Sequence, residues 1–398
     1  MRRSGHIRER SPGSFELRYN LGIDPATGKR KLATATVRGS RKDAEKELRR
    51  LLHSLDTGEH LDPNRITVRE WLTTWLATVR QEVAPKTWER YSELAEDFLT
   101  PAFGGLHLTK LAPVHIQELL NTLAFSGRRD GKPGGGLSPR TRRHIHRVLT
   151  GALNRAVEQQ LMARNPAAAL SRRLPKVERP DMPTLSAEQA ARLLEAIRHT
   201  RVYWPVLLAL ATGARRGEIL ALRWRNFDPD RGIVQIVASI EETQGGRLRF
   251  KAPKTERTRS VTLPAFAVAE LQRHKREQAE ELLALGIRQD EDTLLCRRAI
   301  PRNRDGSLDP DAAMTPRAMS HEYRRAVRRL KDIPIVPFHN LRHSHATQLL
   351  VAGVHAKVVQ ERLGHSNIGI TLGTYSHVVA GMQEDAAARL DKAFRQNS

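Results

Sequence analysis

One cysteine, five tyrosines and no long apolar run are the shortages that first narrow what this 398-residue chain can be. Cys296 stands alone, which excludes an intramolecular disulfide framework, makes a cysteine-ligated zinc site a poor fit, and suits a reducing cytoplasm. The longest continuous apolar stretch, WPVLLALAT from Trp204 to Thr212, is about half of what a bilayer crossing requires. The basic N-terminus has no hydrophobic region behind it, so neither a membrane partner nor a secretion signal is expected. Acidic residues are also short: 44 Asp plus Glu stand against 67 Lys plus Arg, a formal charge of +23. Such an excess calls for a polyanionic partner. Arginine greatly outnumbers lysine, and guanidinium forks grip phosphate oxygens two at a time, so nucleic acid is a better match than a membrane surface.

The length predicts two or three units, and composition suggests where they divide. The first sixty or so residues alternate β-like runs, SFELRYNLG and RKLATATV, around the turn signal DPATGK. The charged helical pattern RKDAEKELRRLLHSL follows, which predicts a small sheet with a helix against it over 1–62. Arg18, Lys29 and Lys31 are among the basic residues on these strands and turns, where a sheet face can reach a DNA groove. Residues 63–172 read as all helical, with apolar positions at three- and four-residue spacing in TVREWLTTWLATV and KTWERYSELAEDFL. A helix starting at Ser138-Pro139 buries Ile145, Val148, Leu149, Ala152, Leu153, Ala156 and Val157, leaving Arg140, Arg143 and Arg147 on another face, toward a duplex backbone. The proline- and charge-rich 173–184 reads as a linker. The remainder, 185–398, is mainly helical with one β region: GIVQIVASI, a Gly245-Gly246 turn, RLRFKA, and SVTLP beyond the loop PKTERTR. The expected fold class is therefore multidomain, mainly α with α+β parts.

Chemistry concentrates in that last unit. In TGARRGEIL, Gly213 can end one helix and Arg215 then sits at the entrance of the next, where free N–H groups and a guanidinium favour an anion. Glu218 lies one turn on and can hold the arginine in its working rotamer. In FHNLRHSHATQLL, His339 and Arg342 share a helix face, setting an acid–base group beside a fixed positive charge. His339 and His343, four apart, could instead ligate a metal, but no third ligand or general-base glutamate accompanies them. Lys254, on the loop after RLRFKA read as a hairpin tip, can protonate an alkoxide leaving group. Gly364 closes a helix, His365 follows directly, and Tyr375 arrives ten residues later in TYSH.

Taken in order, TGARRGEIL with Arg215, PKT with Lys254, HNLRH with His339 and Arg342, LGHS with His365 and TYSH with Tyr375 resemble the tyrosine recombinase (phage-type integrase) family. The resemblance implies that Tyr375 attacks a DNA phosphodiester to give a 3′-phosphotyrosyl enzyme and a free 5′-hydroxyl, with neither ATP nor metal required. It assigns Arg215, Arg342 and His365 to the non-bridging oxygens, His339 to positioning or accepting a proton, and Lys254 to the leaving oxygen. A phenol with pKa near 10 is ionised to about one part in a thousand at pH 7, a deficit of only ~4 kcal/mol, so stabilising the phosphate charge is the larger task. The resemblance further implies an arm-site DNA-binding domain at 1–62, a helical, SAM-like core-binding domain at 63–172 and a catalytic domain at 185–398. The expected partners are double-stranded DNA at core and arm attachment sites, other copies in a homotetramer, an excision directionality factor and a host DNA-bending protein. The expected setting is the cytoplasm of a bacterial host, at the nucleoid. Strand exchange would pass through a Holliday junction. Gly373, two residues before the tyrosine, departs from the polar residue often found there and should loosen its helix by roughly 1 kcal/mol relative to alanine. Met382, Ala386, Leu390 and Phe394 form an apolar stripe on a terminal helix that would dock either on a neighbouring protomer or on its own domain. Two rivals share the phosphotyrosyl chemistry: a type IB topoisomerase, which needs no second class of site, and a chromosome-resolving recombinase. The separate basic N-terminal module disfavours both. A DNA-binding protein that has lost catalysis is countered by the complete set of motif residues.

Overall fold

The computed structural model describes residues 5–23, 30–56, 66–128, 135–178, 182–252, 258–298 and 312–380, together with 387, 388, 390, 391, 394 and 395. At 21–23, 30, 31, 53–56 and 376–380 it describes the backbone alone. The chain forms two compact units, Met1–Val177 and Glu178–Ser398.

In the first unit, β1 (Gly5–Ser11), β2 (Ser14–Ile23) and β3 (Arg30–Arg38) form an antiparallel sheet in that order. The β1–β2 connection is tight, and Gly13 takes the left-handed conformation there at φ +75°. Alternation along β2 sends Phe15, Leu17 and Tyr19 to one face, where they pack on Ala44, Leu48 and Leu51 of α1 (Arg41–Asp56). Strand β1 was not anticipated. Its sequence, GHIRERS, carries one large apolar residue, Ile7, and its register comes from pairing with β2 rather than from its own pattern.

The rest of this unit is helical: α2 (Val68–Glu82), α3 (Pro85–Leu94) running on through a π turn, α4 (Thr100–Phe103), α5 (Pro113–Phe125) and α6 (Pro139–Glu158). Thr67 and Glu70 cap α2 reciprocally, and Ser138 caps α6 by accepting from the Thr141 N–H at 3.2 Å. Trp71, Leu72 and Trp75 of α2 interlock with Ile145, Leu149 and Leu153 of α6, and the Trp71 indole donates to the Ala152 carbonyl at 2.9 Å. That burial turns the opposite face of α6 outward, with Arg140, Arg143 and Arg147 exposed on it.

The second unit runs through α7 (Ala187–Ala196), α8 (Tyr203–Thr212), α9 (Arg216–Leu220), strands β4 (Phe227–Asp228), β5 (Ile233–Ile236), β6 (Ser239–Glu242), β7 (Leu248–Lys251) and β8 (Arg259–Thr262), then α10 (Ala265–Leu283), α11 (Pro316–Val327), α12 (Phe338–Val351), α13 (Ala356–Leu363) and α14 (Ile368–Ala380). The expected single β region is divided within GIVQIVASI: β5 pairs with β4 and β8, while β6 pairs with β7 in a separate ribbon. The chain changes sheets at Val237-Ala238, so β7 and β8 belong to different sheets, and residues 253–257 between them, read as a hairpin tip, lie outside the described residues. The apolar α8 lies in the core with Ile219, Trp224, Val234, Val261, Tyr323 and Leu341 around it. A smaller cluster, Ala346, Leu350, Val359, Leu363 and Tyr375, joins α12, α13 and α14. Among the described residues no helix is long and apolar enough to cross a membrane.

Candidate active site

Two left-handed glycines build the frame. Gly213 ends α8 at φ +64° and Gly364 ends α13 at φ +64°, each leaving carbonyls beyond the helix hydrogen bonds. Arg342, from the buried face of α12, collects one from each end: it donates to the Gly213 carbonyl at 2.7 Å and to the Leu363 carbonyl at 2.8 Å. The guanidinium is 3% exposed, and burial, reinforced by the neighbouring charge of Arg215, pulls its pKa down to about 9. It remains a cation at neutral pH, with N–H groups to spare for an anion.

Arg215 is the N-cap of α9, as its position after Gly213 predicts. Its guanidinium donates to Glu218 Oε1 at 2.8 Å and reaches the Gly364 carbonyl at 3.4 Å, while its backbone N–H donates to Glu218 Oε2 at 2.9 Å. Glu218 is 1% exposed. Burial raises its carboxyl, but hydrogen bonds and charge from Arg259 and then Arg215 outweigh that and hold it below the usual glutamate value. Arg259, which the motifs did not single out, joins this cluster. From β8 it donates to Glu218 Oε2 at 2.6 Å and to the Arg362 carbonyl at 2.9 Å, and its buried Nη1 has no hydrogen-bond partner. A signal existed: Arg259 shares a strand face with buried Val261, and a charge on the inward face of a strand needs a partner.

His365 follows Gly364 and its Nδ1 lies 2.9 Å from the Thr371 hydroxyl. Burial, with Arg342 and Arg215 beside it, depresses its pKa to about 4. His339 stands exposed at the edge of a cleft of about 700 Å³ that Arg215, Arg216, Lys251 and Arg324 also line. Partial desolvation there, then the charges of Arg342, Arg215 and Arg216, lower its pKa. Lys254 lies outside the described residues. Lys251, three residues earlier, pairs with Glu241.

Tyr375 is 2% exposed, its ring in the small cluster between α12, α13 and α14. The backbone leaves helical geometry at this residue (φ −115°, ψ 17°). Its hydroxyl lies 2.7 Å from His343 Nδ1. Burial pushes the phenol up to about 12, opposed by Arg342. His343 was weighed only as a metal ligand; the bond to Tyr375 occupies the nitrogen that faces the site. Its spacing from His339 was the available signal, because residues four apart share a helix face, and the two rings meet edge-on at 5.3 Å. The structure thus brings together Arg215, Glu218, Arg342, His365 and Tyr375, adds Arg259 and His343, and sets His339 at the adjoining cleft.

The other predicted basic residues belong to the first unit. Arg140 and Arg147 have no carboxylate partner among the described residues, whereas Arg143 is within 3.5 Å of the Pro175 carbonyl. Arg18 is exposed but lies 3.6 Å from Glu16, which also pairs with Arg10. Lys29 and the side chain of Lys31 fall outside the described residues, as do Met382 and Ala386 of the terminal stripe.

Residues 183–381 match the phage integrase family model, and residues 67–124 match the N-terminal SAM-like domain of phage integrases. The chain is 26% identical to a tyrosine recombinase XerC-like protein of Caldanaerobacter subterraneus, covering 89% of this chain and 90% of that one. It is 24% identical to the ICEBs1 integrase of Bacillus subtilis, over 97% and 99% of the two chains. In structure it resembles the Tn1549 transposon integrase in complex with transposon right end DNA (TM-score 0.63, 19% identity, 82% of this chain and 99% of that one). It also resembles a lambda integrase dimer bound to a COC′ core site (TM-score 0.53, 17% identity, 92% and 93%). With the family model covering half its length, this chain belongs to the phage integrase family of tyrosine recombinases, the integrating enzymes of phages and other mobile elements.

Proposed function

We propose that Tyr375 is the nucleophile of a site-specific DNA recombination reaction that integrates a mobile element. The observation that carries this reading is the tyrosine's place: a buried phenol whose hydroxyl is held by an imidazole, close enough to Arg342 for the two groups to shift each other's acidity. A structural tyrosine would not need an arginine cluster tied to two helix ends beside it.

In this reading the DNA phosphate sits against Arg215, Arg342 and His365, whose positive and N–H edges stabilise the extra charge of the pentacoordinate transition state. Attack by the Tyr375 oxygen forms a 3′-phosphotyrosyl bond and releases a 5′-hydroxyl, with Lys254 as the donor to the leaving oxygen and His339 positioning or accepting a proton. Glu218 holds Arg215 in place. Because the ester bond is kept in the covalent intermediate, rejoining to a new 5′ end needs no external energy source. In this reading one strand pair is exchanged at a time through a Holliday junction, within a tetramer. Lambda integrase is known as a tetramer bound to a Holliday junction, at 18% identity and a TM-score of 0.52.

Three parts share the work: 1–62 at arm sites through Arg18, Lys29 and Lys31, 63–172 on the core site through Arg140, Arg143 and Arg147, with 173–184 as linker, and 185–398 for catalysis. Arg140 and Arg147, exposed on one face of α6 and without a carboxylate partner among the described residues, support the middle assignment. An excision directionality factor and a host DNA-bending protein are the accessory partners of such a system.

The test is incubation with candidate attachment-site DNA carrying a nick, followed by denaturing gels. The wild-type chain should yield a 3′-phosphotyrosyl adduct and recombinant product, and Tyr375→Phe should bind DNA yet form no adduct. An adduct of undiminished yield from Tyr375→Phe moves the nucleophile elsewhere. Adduct and relaxation without recombinant product would favour topoisomerase activity.

A further inference from the structure

Resting on the reading of Tyr375 as nucleophile, we propose that His343 is the proton acceptor that orients and activates it. His343 Nδ1 lies 2.7 Å from the Tyr375 oxygen, within the short range of a hydroxyl hydrogen bond, and the two ring centroids are 5.8 Å apart. No other hydrogen bond to that hydroxyl exists among the described residues. His339, the histidine that the motif points to, touches His343 edge-on and makes no hydrogen bond to the tyrosine hydroxyl among the described residues.

The placement is built by both helices. His343 is next to Arg342 on α12, so the residue that anchors the phosphate-binding guanidinium also fixes the acceptor. On α14 the backbone departs from helix at Tyr375 itself, which turns the hydroxyl toward α12 while the ring stays packed on Ala346, Leu350, Val359 and Leu363. With the imidazole neutral and its proton on Nε2, Nδ1 accepts from the phenol O–H and leaves an oxygen lone pair free for phosphorus.

The groups around His343 keep it neutral at rest. Burial, His339 and Arg342 hold its pKa near 4, His365 crowds it from the α13–α14 corner, and Tyr375 faces it from α14. A resting imidazole of this kind cannot strip a proton from a phenol raised to about 12. Transfer becomes favourable during attack: a scissile phosphate adds negative charge beside the imidazole, and the phenol oxygen loses basicity as it bonds to phosphorus. As the Oη–P bond forms, the hydroxyl proton passes to His343 Nδ1. The P–O5′ bond breaks with its electron pair on the 5′ oxygen, which takes a proton from the Lys254 ammonium. Rejoining reverses both transfers, and the imidazolium returns its proton to the tyrosine.

The experiment compares full-length wild type, His343→Asn and His343→Gln on nicked suicide DNA, reading adduct formation in single turnover against pH. Asparagine keeps an acceptor oxygen near the Nδ1 position but cannot take the proton. Adduct formation should fall by roughly a hundredfold or more, with DNA affinity unchanged and a rate that climbs with pH as tyrosinate replaces the missing base. A 5′-bridging phosphorothiolate, whose sulfur leaves without a proton, should rescue Lys254→Ala but neither His343 variant. Wild-type rates in His343→Asn, or its full rescue by the phosphorothiolate, would overturn the proposal and put His343 on the leaving-group side or outside the chemistry. His343→Gln serves the same comparison if His343→Asn does not fold. Absence of any adduct in the wild type, or its persistence in Tyr375→Phe, would instead reject the nucleophile reading beneath it.

Discussion

Glu218→Gln is the substitution that most directly tests how the arginine cluster is held. Glu218 is the one carboxylate among the described residues that Arg215 and Arg259 share, at 2.8 and 2.6 Å, and it also accepts the Arg215 backbone N–H at 2.9 Å. The amide keeps the shape but removes the charge and turns an N–H₂ group toward a guanidinium, donor against donor. Removing one partner of a buried ion pair costs about 3–5 kcal/mol, because the remaining charges stay buried and uncompensated. For a unit of this size that lowers the melting temperature by roughly 6–20 °C. The sign with pH follows from the carboxyl's depressed pKa. A carboxylate held below its ordinary 4.5 contributes stability in full above that value and loses it as pH falls through the folded-state pKa. The gap between wild type and Glu218→Gln should therefore be widest near neutrality and close in acid below about pH 4.5. Calorimetry of the full chain across pH reads both quantities. A loss under about 1 kcal/mol at pH 7, or a gap that does not shrink in acid, would refute the assignment of Glu218 as the shared counter-ion.

Two further outcomes are expected. Arg342→Ala should cut adduct formation by on the order of a hundredfold or more, as removal of a preorganised charge stabiliser does; Arg342→Lys should also be impaired, since one ammonium cannot span the two carbonyls and the phosphate, and near-normal cleavage by the lysine variant would argue against that clamp. Gly373→Ala meets open space at the added Cβ, at a glycine whose φ is not positive, so it should stabilise α14 by about 0.5–1 kcal/mol and slow hydrogen exchange around Tyr375, and unchanged protection would count against glycine-dependent looseness there.

Much of the catalytic frame was legible because helix punctuation is local. Gly213 and Gly364 end their helices as read, Arg215 falls at the entrance that Gly213 implies, and Glu218 reaches it across one turn. The capped α6 helix was legible for the same reason, its Ser138-Pro139 start and apolar period being properties of neighbouring residues. What escaped depends on distant pairing. Strand β1 is weak in its own pattern and gains its place from β2. The division of GIVQIVASI between two sheets is decided by β8 and β7, which lie farther along the chain. Arg259 and His343 escaped for a related reason: each matters through one partner on another element, and no spacing within a motif records that the partner is there.

The two glycines also explain why this cluster of positive charge can exist before any phosphate arrives. Arg215, Arg259 and Arg342 are brought together with, among the described residues, only Glu218 between them, an arrangement that repels itself unless other dipoles oppose it. Carbonyls at the two helix ends supply that opposition: Gly213 and Leu363 accept from Arg342, Gly364 accepts from Arg215, and Arg362 accepts from Arg259. The negative ends of α8 and α13 point into the same space. A side chain at Gly213 would meet His345 at 2.6 Å and Leu363 at 2.7 Å, so the close approach of the two helix ends itself depends on the missing Cβ. The guanidinium groups are thus held by backbone as much as by carboxylate. In the reading proposed for this site, a phosphate entering there would replace repulsion with attraction, which is the preorganisation that electrostatic stabilisation of a transition state demands.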